Sequence, residues 1–171
     1  MSHRFAADSN VGRLARWLRI LGYDVTYDAF IADGDLVRHA LEEERVILTR
    51  DNGIVARKAV RRFVFVAHDR VDDQLRQVVT ECALQLDPSR FWTRCPLDNT
   101  EIRPVPKELV AGRVPPFTFR THDEYSECPR CGRVYWRGSH LHRFLLRVEP
   151  LVSAGVGAGG ETGRHEGDGP S

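Results

Sequence analysis

The chain has 171 residues, 42% of them hydrophobic and 29% charged, with 25 lysines and arginines against 24 acidic residues and a formal net charge of +1. That length holds one domain of roughly 100–150 residues plus a small module, and so even a balance excludes a protein that coats nucleic acid by bulk charge, though not a local basic patch. No run reaches the roughly 18 apolar residues of a membrane span, Met1-Ser2-His3-Arg4 opens no secretion signal and four cysteines make no disulfide scaffold, so a cytoplasmic chain without membrane contact is expected.

Phe5-Ala6-Ala7 is a short apolar run ending at Asp8. From Val11 to Leu21 the residues Val11, Leu14, Ala15, Leu18 and Leu21 form one helical stripe. Arg13 and Arg16 fall off that stripe, Arg19 reads as a solvated face residue, and Gly22 stands where a left-handed residue ends such a helix. Asp24 to Tyr27 is a second strand, and Asp33-Gly34-Asp35 opens a helix through Leu41, with acids suitably placed at its start. Arg45 to Thr49 is a third strand, Asn52 to Val60 a helix, Phe63 to Val66 a fourth strand and Asp72 to Leu86 another amphipathic helix. Strands alternating with helices at this spacing predict an α/β fold, a parallel sheet covered on both faces. Cys82 lies on the apolar face of the last helix as a buried, inert thiol.

After Pro88 the chain is interrupted by six prolines between Pro96 and Pro129 and three cysteines appear, so a second module over 89–150 follows a first domain over 1–88. Residues 151–171, rich in Gly and small polar groups, read as a disordered tail.

Ligands of an open parallel sheet bind beyond the carboxyl ends of its strands. Asp8, Asp51 and Asp69 follow the first, third and fourth strands, and Asp33 opens a helix on the same edge. Acids gathered there repel one another unless a cation neutralises them. Oxygen ligands without His or Cys suit Mg²⁺ or Mn²⁺, and metal-assisted attack of water on a phosphodiester is the natural chemistry. Each acid can equally be a helix cap. Arg13, Arg16 and Arg50 flank this rim and can meet phosphate.

Together Phe5-Ala6-Ala7-Asp8, Gly12 to Arg19, Leu21-Gly22-Tyr23-Asp24, Ile47-Leu48-Thr49-Arg50-Asp51, Gln74-Leu75 and Cys128 to His140 closely resemble the Mut7-C family, from about Arg4 to Phe144. The resemblance implies a Rossmann-like PIN core joined to a zinc ribbon, with an acidic Mg²⁺/Mn²⁺ site hydrolysing RNA to 5′-phosphate and 3′-hydroxyl ends. It carries that site onto Asp8, Asp33 and Asp51. For a fourth acid, Asp69, Asp72 and Asp73 all lie near the expected place, and Asp73, before Gln74-Leu75, is chosen.

Cys128-Pro129-Arg130-Cys131-Gly132 has zinc-knuckle spacing, but its expected partner is Cys95-Pro96-Leu97-Asp98, where a carboxylate departs from the family's pattern. Asp98 can complete a Cys₃Asp zinc site; His140 or His142 can complete Cys₃His; a knuckle held by packing or by a disulfide is the remaining possibility. From Cys128 to Val148 five arginines occur without an acid, interleaved with Tyr135, Trp136 and Phe144. Guanidinium groups and aromatic faces suit RNA, so Arg133, Arg137 and His140 are expected contacts, whereas Trp136 and Phe144 can simply pack the module. The leading expectation is a metal-dependent ribonuclease whose module grips RNA. The alternatives are a non-catalytic RNA-binding protein and a toxin-like nuclease controlled by a partner.

Overall fold

The computed structural model describes residues 3–156, with the backbone alone for 139–142 and 152–156. β1 (Arg4–Ala7), β2 (Asp24–Tyr27), β3 (Val46–Thr49) and β4 (Phe63–Phe65) form a wholly parallel sheet in the order β2-β1-β3-β4. Side chains alternate across it. Phe5, Ala7 and Leu48 face one layer, with α1 (Gly12–Ile20) and α4 (Val71–Glu81), while Ala6 and Ile47 face the other, with α2 (Asp33–Glu42) and α3 (Asn52–Val55). Every β3 side chain is buried, as a strand covered on both faces requires.

Two boundaries differ from the sequence reading. The helix expected over Asn52–Val60 ends at Val55, because the chain turns at Arg57, whose carbonyl accepts from Val60 N at 2.9 Å, and inserts Val60 into the core. The helix expected through Leu86 ends at Glu81, where Ala83 adopts φ 48° and Leu84 N donates to Val79 O at 2.9 Å. The end of α1 follows expectation: Gly22 has φ 89°, with Tyr23 N donating to Leu18 O and Gly22 N to Arg19 O. A Cβ at Gly22 would also lie 2.4 Å from the Arg90 carbonyl oxygen.

The later residues build a three-stranded antiparallel sheet, β5 (Arg103–Val105), β6 (Tyr125–Glu127) and β7 (Val134–Trp136), with a short α5 (Pro116–Thr121) and a small core of Val110, Val114 and Tyr125. α6 (Ser139–Val156) then returns to the first sheet. Its Phe144, Val148 and Leu151 belong to the first core, and Phe144 meets Trp17 edge-on at 5.2 Å. The boundary drawn at 151 therefore falls inside a helix whose apolar face is anchored on α1 and α4; residues from 157 onward lie outside the described residues. Among the described residues no helix is long and apolar enough to cross a membrane.

Candidate active site and metal centre

β1 and β3 are neighbours, so the residues that follow them emerge side by side at the carboxyl edge of the sheet. Asp8, only 4% exposed, accepts Ser9 N (2.6 Å) and Ser9 Oγ (3.2 Å) on Oδ1, and Asn10 Nδ2 (2.8 Å) and Thr49 Oγ1 (2.7 Å) on Oδ2. Thr49 Oγ1 in turn accepts Asp51 N at 2.9 Å, so one hydroxyl ties the two acids together. Asp51 is exposed and caps α3, accepting Gly53 N at 2.6 Å. Thr49 was missed in the sequence; its signal is a hydroxyl ending an otherwise apolar strand.

The remaining expected acids are held by arginines. Asp33 pairs with Arg57 at 3.3 Å, Asp73 with Arg76 one turn along α4 at 3.0 Å, and Asp69 with Arg50 at 2.5 Å. Among the described residues no three of these acids come close enough to share one ion. A cleft of about 420 Å³ opens beside Asp8, lined by Ser9, Asn10, Arg13, Arg16, Arg50 and Asp69, with Tyr27 at its side. Arg13 and Arg16 are exposed, one turn apart on α1, and among the described residues neither pairs with an acid. The cleft is therefore anion-seeking.

Arg19 corrects the expectation of a solvated residue. It is 2% exposed, donating Nε to Val25 O (2.9 Å) and Nη1 to Pro96 O (3.0 Å) and Leu97 O (2.9 Å). Asn99 adds a second fastening, accepting Val25 N on Oδ1 (3.0 Å) and donating Nδ2 to Asp24 Oδ1 (2.7 Å). The turn carrying Cys95 and Asp98 is thus bolted to α1 and β2.

That turn and the Cys128 turn are built alike. Asn99 N donates to Cys95 O (3.0 Å) and Cys95 N to Thr100 O (2.8 Å); Gly132 N donates to Cys128 O (2.9 Å) and Cys128 N to Arg133 O (3.0 Å). Asn99 and Gly132 both adopt φ 69°, a conformation open to Gly and Asn. Asp98 therefore occupies the position that Cys131 fills in the other knuckle. The ligand atoms of Cys95, Asp98, Cys128 and Cys131 lie within 4.8 Å of one another, a group that can hold a metal ion such as zinc. Cys95 Sγ and Cys131 Sγ are 3.8 Å apart, the separation of about 3.8 Å that a tetrahedron with Zn–S near 2.3 Å demands. No disulfide competes, since all four cysteines are free. In the metal-free knuckle, although partial burial opposes it, hydrogen bonds from Thr100 and from the Cys128 and Cys95 thiols hold the Asp98 carboxyl below the usual range.

The aromatic residues among the late arginines make packing contacts, Tyr135 and Trp136 while half-exposed. Phe144 is buried, and Trp136 packs against the small core. Arg147 stacks on Trp17 at 5.2 Å and reaches Asp72 at 3.7 Å. Arg133 and Arg137 stay exposed, and the His140 and His142 side chains lie outside the described residues.

The profile of the Mut7-C RNAse domain matches residues 3–148, both sheets and both knuckles included. The chain belongs to the Mut7-C RNAse domain family. Membership gives this Mut7-C chain a nuclease-like, RNA-related function. Neither the curated proteins nor the solved structures return a match.

Proposed function

We propose that this Mut7-C chain is a divalent-metal-dependent ribonuclease with a PIN-like core and a zinc-bound second module. The observation that carries this reading is the linking of Asp8 and Asp51 through Thr49, next in sequence to Ser9 and Arg50, which line a cleft with Arg13 and Arg16. The donors fit a hard cation: Mg²⁺ takes one or two carboxylates and completes its shell with water and substrate phosphate, and Asp51 leaves one carboxylate oxygen without a partner among the described residues. Asp51 and Asp8 would hold Mg²⁺ or Mn²⁺, with Asp33 and Asp73 recruited only if they leave Arg57 and Arg76. Such an ion supplies Lewis-acid polarisation of the phosphoryl oxygen and a water of lowered pKa.

The chain's own residues do the rest. Thr49 fixes the Asp8 carboxylate and the Asp51 backbone against the rigid sheet. Arg13, Arg16 and Arg50 bind the phosphates about the scissile bond and offset the charge that grows in the transition state. Arg50 must release Asp69 to do so. In the second module Cys95, Asp98, Cys128 and Cys131 would hold Zn²⁺, a closed structural site, and the exposed Arg133 and Arg137 would extend the hold on RNA, with His140 beyond them in sequence.

The test incubates purified protein with total RNA and maps the ends. Cleavage leaving 5′-phosphates, lost on chelation and restored by Mn²⁺, is expected. Asp51→Asn should lower turnover by about 100-fold or more while leaving RNA affinity largely intact; unchanged turnover sinks the assignment. A second reading, a non-catalytic RNA-binding protein, is favoured by the four donors that saturate Asp8 and the ion pairs on Asp33 and Asp73. It predicts salt-dependent binding and intact RNA under every metal.

A further inference from the structure

Cys95 is the one sulfur that the first knuckle offers, since Asp98 stands where Cys131 stands in the second. It is fully buried, and its Sγ lies 3.0 Å from the Tyr135 hydroxyl. The two residues are 40 positions apart. Cys95 belongs to the turn fastened to α1 and β2, and Tyr135 to β7, just beyond the Cys128 turn. The contact therefore joins the two halves of the metal centre directly. Tyr135 is itself held in place. It sits in the middle of β7, in register with Ser126. Its ring lies 6.3 Å from that of Trp92, whose N donates to Ile20 O at 2.7 Å at the end of α1. A phenylalanine would serve that packing; what tyrosine adds is the hydroxyl on the sulfur.

We infer that Tyr135 is a positioning residue of the metal centre: its hydroxyl donates to the Cys95 thiolate and sets how tightly the Cys₃Asp group holds Zn²⁺. The inference rests on the zinc-bound reading of the second module and adds to it a residue outside the four ligands. A thiolate can only accept, so the phenol is the donor. Three thiolates and a carboxylate outweigh the charge of a divalent ion, and in a buried group that excess needs hydrogen-bond donors. Asp98 Oδ1 takes a backbone amide, Thr100 N at 3.0 Å; Cys95 takes the phenol. The bond is made within the protein, so it aims the sulfur before an ion arrives and lowers the ordering cost of binding. With one thiolate instead of two in the first knuckle, the aim of that sulfur counts for more than it would in a Cys₄ site.

Full-length Tyr135→Phe is compared with wild type in two measurements: competition for Zn²⁺ with a chromogenic chelator, and the thiolate-to-metal charge-transfer band after loading with Co²⁺. The variant should hold zinc about 10- to 100-fold less tightly, the effect of losing an outer-shell partner. Its cobalt band should move to lower energy, because a thiolate relieved of a hydrogen bond gives up its electrons more readily. Far-UV circular dichroism should match wild type, since the ring and its contact with Trp92 are kept. Zinc affinity and a cobalt band both equal to wild type overturn the role of Tyr135 and leave the zinc centre standing. Affinity that falls while the band stays in place overturns it too, marking a loss of packing and not of a donor. Wild-type protein that takes up neither ion overturns the zinc reading, and this inference with it.

Discussion

Arg19 is the residue on which the two halves of the molecule depend. Its guanidinium bridges the buried Val25 carbonyl and the part-buried carbonyls of Pro96 and Leu97, and its loss would take a charged donor from all three. Arg19→Ala should therefore cost about 3 kcal/mol, read as a lower urea midpoint with the secondary structure retained. It was misread in the sequence because its partners lie 77 and 78 residues away, where no local periodicity can announce them. Thr49 went unread for a related reason: a strand-end hydroxyl acquires meaning only once β1 lies beside β3. Asp24 carries a pH signature. Against burial, which would raise it, hydrogen bonds from Arg45 and Asn99 hold its carboxyl down at about 2. The folded value lies below an unfolded one near 4, so this contribution is fully present above pH 4 and fades as the pH falls toward 2. Asp24→Asn should lose about 2 kcal/mol at neutral pH, with the gap to wild type narrowing between pH 4 and pH 2 in acid-dependent unfolding.

At the scale of elements, the parallel sheet and its helices were legible because burial on two faces writes apolar runs and stripes directly into the chain. Val46 to Thr49 and Leu14, Ala15 and Leu18 are such cases. The equivalence of the two knuckles was half legible. The Cys-Pro start of each is visible, but that Asn99 plays the part of Gly132 emerges only from their shared left-handed backbone. Asp98→Cys should consequently complete a Cys₄ site without rebuilding the turn. Zinc should then be held more tightly, thiolate suiting it better than carboxylate, as competition with a chromogenic chelator would register. A variant that loses zinc would show that the two turns are not interchangeable. The direction of α6 was not legible, since an apolar stripe does not say which of two cores it will cover.

At the scale of the whole molecule, the two modules are fastened to each other at two places. The Cys95 turn is fastened to α1 and β2, and α6 supplies Phe144, Val148 and Leu151 to the first core. If the knuckles hold zinc as proposed, removing it should lower the unfolding temperature of the parallel sheet along with that of the knuckles, in a single transition by far-UV and near-UV circular dichroism. A fragment of residues 1–88, which lacks both the partners of Arg19 and the helix that covers Trp17, should fail to show a cooperative transition of its own; a sharp one would refute this coupling. Synthesis meets the same constraint in time. The ribosome delivers all four strands of the parallel sheet long before it delivers Leu151, so the first half of the chain waits with an uncovered apolar face and an unsatisfied guanidinium until the last helix is free. During that interval the nascent chain would expose the kind of apolar surface that chaperones shield.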